Sequence, residues 1–113
     1  MAVLDFNSQR RPTLQIVMKD PANTVLHLCT PCKGTVDKIS ATLPELRTAL
    51  TGKDADASRA VYSLAAELIN NNLDGVTVTV KELTTKYELN LEDMALFYNA
   101  YVDFLGEIKN AKN

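Results

Sequence analysis

Apolar and polar side chains alternate along "TLQIVMKD": Leu14, Ile16 and Met18 on one parity, Gln15, Val17 and Lys19 on the other. A two-residue period of this kind predicts a strand with one buried face. "DPAN" follows, with Pro21 preset for the second position of a type I turn and Asp20 and Asn23 suited to its flanks. The return run "TVLHLCT" is again β-branched and apolar, so the two runs predict a hairpin over about 13–30. A lone hairpin is marginal in water and needs a surface to pack on.

The remaining chain changes period. Val36, Ile39, Leu43, Leu46 and Leu50 are spaced 3, 4, 3, 4, one stripe along a helix. Pro44 falls inside the stripe and is expected to kink that helix or start a new one, because it lacks an N–H and crowds the preceding turn. Gly52 is expected to end it. Asp54 or Asp56 is suited to cap a next helix whose stripe is Ala57, Val61, Leu64 and Leu68, with Ala60, Ala65 and Ala66 allowing close approach. "NNNLDG" should stop that helix and turn the chain.

In "VTVTVKELTTKY" the alternation suggests an extended piece through Val78. Thr79 and Glu82 have capping-box spacing, which predicts a helix from Val80 to about Tyr87. The last helix is predicted from Asn90 as cap, Glu92 and Asp93 in the first turn where the helix dipole favours acids, and a broad face of Met94, Phe97, Tyr98, Tyr101, Phe104, Leu105 and Ile108. Together these predict one α+β domain over 1–113: an N-terminal β-hairpin packed on about four helices, the helical part running over about 34–109.

Composition adds limits. A chain of 113 residues, 46% hydrophobic, can bury roughly two thirds of its unfolded surface, so it needs no covalent staple. Its 12 basic and 14 acidic residues are dispersed and leave a net charge of -2, unlike the one-sided basic field that nucleic acids require. No apolar run reaches the length of about 18 residues that a membrane span needs, and the first residues lack a signal-peptide core. The expectation is a cytoplasmic protein without nucleic-acid or membrane partners.

Candidate chemistry is sparse. "CTPC" sits between a predicted strand and a predicted helix, where a thioredoxin-type site would lie and where a helix start lowers a thiol pKa. Such enzymes also need a βαβ unit ahead of the motif and a later cis-proline, whereas a hairpin precedes this pair and no proline follows Pro44. The preferred reading makes Cys29 a strand-end residue facing the core and Cys32 part of the turn into the helix; thiol exchange by Cys29 and Cys32 is the alternative. A structural zinc site lacks its fourth ligand, since the chain offers two cysteines and His27. The four glycines are scattered and open no nucleotide-binding loop. No catalytic, cofactor-binding or metal-binding residue is assigned, and an enzyme is not expected. The aromatic face is the one candidate for partner binding: Phe97, Tyr98, Tyr101 and Phe104 cover more arc than a narrow seam requires, and tyrosine suits surfaces dry at one end and wet at the other, while the competing reading packs all of it as core against the hairpin and the other helices.

Over about Arg11 to Lys109, the segments "RPTLQIVMKDPANTVLHLCTP", "LPELRTAL" and "AVYSLAAELINNNLDGVTVTVKELTTKYELNLEDMALFYNAYVDFLGEI" resemble the small tail assembly chaperones of long-tailed phages and prophages of Gram-positive bacteria. The resemblance lies in hydrophobic and turn positions. It implies a non-enzymatic protein of the host bacterial cytoplasm that binds the tape measure protein, keeps it from aggregating and promotes assembly of the tail tube protein around it. A homo-oligomer stays open, as does another helical adaptor or structural head-tail protein of a prophage. The resemblance also implies a longer form made by ribosomal slippage, for which Ala111, Lys112 and Asn113 admit the codons GCA AAA AAC.

Overall fold

A computed structural model describes residues 12–52 and 55–111, with side chains as far as Glu107. Asp54, the Ile108 side chain and the chain end at Lys112 and Asn113, with the slippage expectation attached to it, lie outside the described residues. The chain is α+β. Among the described residues, a two-stranded antiparallel hairpin of β1 (Leu14–Val17) and β2 (Val25–Leu28) is followed by four helices, α1 (Lys33–Leu50), α2 (Ala55–Asn70), α3 (Val80–Thr85) and α4 (Leu91–Ala111).

The hairpin register pairs Leu14 with Leu28 and Val17 with Val25. Its turn closes through Asn23 N–H to the Asp20 carbonyl at 3.0 Å, and Asp20 also accepts from the Thr24 backbone N–H and hydroxyl. Asn23 takes a left-handed φ of 49°, which asparagine tolerates because its short polar side chain bonds locally. Leu26, Leu28 and Met18 face inward and are buried; Leu14 and Ile16 are half-buried.

The helix α1 begins earlier than its stripe suggests, with Cys32 as N-cap, and it continues through Pro44 as one element. The exposed Pro44 therefore starts no new helix. It forfeits one N–H bond on the solvent side while Ile39, Leu46 and Ala49 anchor both flanking turns in the core. Gly52 ends the helix at φ 74°, its N–H bonded to the Ala49 carbonyl at 2.9 Å.

The central element is α2, which touches α1, α3, α4 and β2. Its predicted stripe of Ala57, Val61, Leu64 and Leu68 is buried, as are Ala65, Ala66 and Ile69, so small side chains let several neighbours close in at once. Asp56 lies inside the first turn of α2 instead of capping it.

"NNNLDG" does more than end a helix. The Asn70 side chain accepts from Val78 N–H (2.6 Å) and donates to the Val78 carbonyl (2.9 Å). Asn72 does the same across Val76, and Asn71 donates to the Thr30 carbonyl. These amides stand in for strand partners, satisfying backbone groups that an irregular loop would otherwise leave unpaired. The loop also lines the outer edge of β2, through Cys29 N–H to the Asn71 carbonyl and Leu73 N–H to the His27 carbonyl.

Both late helix starts match their local signals. Thr79 and Glu82 form a reciprocal capping box, and Asn90 and Asp93 form another, each accepting the other's backbone N–H at 2.8 to 2.9 Å. The expected helix to Tyr87 ends at Thr85, because Glu88 turns left-handed at φ 50° and Leu89 N–H reaches back to the Leu83 carbonyl.

Candidate functional site

The aromatic face of α4 divides in two. Tyr98 and Tyr101 are fully buried and Phe104 nearly so, while Phe97 is only half-buried. The rings pack edge to face or tilted, with centroids 5.7 Å apart for Phe97 and Tyr98 and 5.9 Å for both Phe97 with Tyr101 and Tyr101 with Phe104. The two hydroxyls end on backbone: Tyr98 donates to the Val61 carbonyl of α2 at 2.6 Å, and Tyr101 to the Cys29 carbonyl at 3.4 Å. Burial pushes the Tyr101 phenol up to about 12, with the Cys29 thiol adding to the shift, and drives Tyr98 further above the ordinary range.

Three of the four residues singled out for partner contact are thus inside the fold. Through these hydroxyls Tyr98 and Tyr101 join α4 to α2 and to the exit of β2, while α1 and α2 both pack against α4. Phe97 stays at the edge of this row, where a groove of about 360 Å³ runs between β1 and α4. Ile16, Met18, Leu89, Met94, Leu96, Phe97 and Ala100 give it an apolar lining. The Lys19–Asp93 ion pair, 3.2 Å long, stands at its rim. Asp93 is held below the ordinary carboxylate value chiefly by the Asn90 N–H, with Lys19 assisting. Leu96 and Val17 flank the groove and are 69% and 61% exposed. Periodicity did not single out Leu96. It lies off the buried arc of α4, and its apolar character on the outer side was the available signal.

The cysteines lie apart from this groove's lining. Cys29 follows β2 and is half-buried, so it does not enter the core at the strand end as expected; Leu26 and Leu28 fill the inward positions of that strand. Cys32 is exposed. Its thiol is lowered from the ordinary value first by the Thr35 hydroxyl, 3.3 Å from Sγ, then by backbone N–H groups at the start of α1. His27 meets Asp74 twice, backbone N–H at 2.6 Å and ring Nδ1 at 3.2 Å, and these contacts lower Asp74. Among the described residues no three His, Cys, Asp or Glu side chains converge, and no helix is long and apolar enough to cross a membrane.

Compared with the known protein families, with curated proteins and with solved structures, the chain matches none.

Proposed function

We propose that this chain is a phage tail assembly chaperone that holds the tape measure protein in solution while the tail tube assembles around it. The observation that carries the reading is the apolar groove between β1 and α4, open to solvent and flanked by Leu96 and Val17. A tape measure is an extended helical chain, and an amphipathic helix is captured by laying its apolar face into such a groove. The pattern resemblance over Arg11 to Lys109 supports the same reading. Capture of this kind is binding alone and takes neither nucleotide nor metal.

The client contact moves accordingly. Phe97 and Leu96 are the side chains a partner reaches, with Tyr98 and Tyr101 packed against Phe97 from inside.

Co-expression tests the proposal. A tape measure protein encoded beside this chain, insoluble alone, should become soluble with it; a client that stays in the pellet at excess folded chaperone overturns the reading. Gene neighbourhood separates this role from that of another prophage adaptor. Thiol exchange is the second reading, favoured by the exposed Cys32 and its lowered pKa. It requires that a folded Cys29→Ser/Cys32→Ser protein lose function, which the chaperone reading does not.

A further inference from the structure

The two edges of the hairpin are unlike. Along β2, the backbone groups of His27 and Cys29 point away from β1 and are taken up by Asn71, Leu73 and Asp74. Along β1, Met18 N–H bonds the Thr24 carbonyl, and because hydrogen-bonded pairs alternate in an antiparallel ladder, Ile16 and Leu14 also turn their backbone groups toward β2. Gln15 and Val17 turn theirs outward, and among the described residues no hydrogen bond takes them up.

Edges of this kind are ordinarily blunted by charge, proline or a bulge. None of these interrupts Leu14–Val17: Pro12 comes before the strand, and Lys19 after it is drawn to Asp93.

We propose that two copies of this chain pair along β1, antiparallel about a two-fold axis at Ile16, to form a four-stranded sheet across a homodimer. In this register Gln15 of each copy exchanges both backbone bonds with Val17 of the other, which satisfies all the outward groups. The inward parity then reads Leu14 against Met18 and Ile16 against itself, joining two apolar faces. Lys19 falls opposite Thr13, so no like charges meet. Among the described residues each copy has one open edge, the other being closed by the asparagine loop. The pairing therefore stops at two copies, as closed symmetry demands, and does not propagate into a fibre. It stands on the edge alone and does not rest on the chaperone reading.

Sedimentation of the full chain tests it. A dimer is expected at a concentration of about 100 micromolar, and Val17→Pro, which deletes an outward N–H and leaves the bonds to β2 in place, should weaken it about ten-fold or more. A wild-type chain that stays monomeric, or a folded Val17→Pro protein that dimerises undiminished, overturns the proposal. So does a dimer that appears only after residues 1–11 are removed, since the chain's own N-terminal segment is then the occupant. Should Val17→Pro fail to fold, Ile16→Cys in a Cys29→Ser/Cys32→Ser background decides. The two-fold makes Ile16 a non-hydrogen-bonded pair with Cα atoms about 4.5 Å apart, within disulfide reach, so oxidation should give a covalent dimer. A dimeric Ile16→Cys protein that does not cross-link refutes this register.

Discussion

Tyr98 shows how much one hydroxyl carries. Its ring is fully buried and its O–H donates to a helix carbonyl, so Tyr98→Phe leaves the Val61 carbonyl without that donor in a dry site. The expected cost is about 1–2 kcal/mol in chemical denaturation, with an unchanged denaturant slope. The same burial predisposes the fold to alkali. Tyr101 titrates near 12 in the folded chain against 10.0 when unfolded, and Tyr98 higher still, so above pH 10.0 the unfolded state releases its protons first. Stability should be level with respect to these groups below pH 10.0 and fall as pH rises toward 12, which a melting series read beside tyrosinate absorbance will follow. The cysteines differ in the opposite sense. Exposed Cys32, its thiolate favoured by Thr35, should be alkylated faster than half-buried Cys29, and peptide mapping after a brief iodoacetamide pulse distinguishes them. Equal rates would mean that burial of Cys29 gives no protection.

Helix ends that carry a paired cap or a glycine stop were the most legible, because such a cap is decided within a few residues, whereas the start of α1 at Cys32, the place of Asp56 and the end of α3 at Thr85 were not. Thr79 with Glu82, Asn90 as cap and Gly52 as stop all follow from local hydrogen-bond chemistry, and all are in place. Signals whose partners lie far away were not legible. Asp93 reads as an acid favoured by the helix dipole, yet it also closes a capping box and meets Lys19 across 74 positions of chain. The asparagine run reads as a helix stop, while its bonds to Val76, Val78 and Thr30 depend on where those segments come to lie. Glu88 gives the test at this scale. It is exposed and left-handed without being glycine or asparagine, so Glu88→Gly should relieve strain and raise stability by up to about 1 kcal/mol, measured as a shift in denaturation midpoint.

For the whole molecule, the division between core and groove decides which substitutions affect binding. Leu96→Glu should leave the melting temperature nearly unchanged, because the residue is 69% exposed, and on the chaperone proposal should weaken capture of a tape measure protein in pull-down by a factor of ten or more. Tyr98→Ala should instead unfold the chain first, at a cost of about 3–5 kcal/mol. Ile16, Val17 and Met18 line the groove and also lie along the proposed dimer edge, so on both proposals a client that fills the groove is expected to shift the chain from dimer to monomer. The sequence by itself determined the hairpin, the four helices, the caps at Thr79 and Asn90 and the apolar arc of α4, since periodicity, turn chemistry and capping act over one or two turns of chain. Only the tertiary structure decided which part of that arc is interior. Tyr98 and Tyr101 are closed off because α1 and α2 pack against α4, and the Val61 and Cys29 carbonyls come to lie where their hydroxyls end. Leu96, apolar and off that arc, stays in water because no described element packs over it. An arc of apolar residues shows that a surface must be covered; which neighbour covers it, and where cover runs out, depends on contacts between segments far apart in the chain.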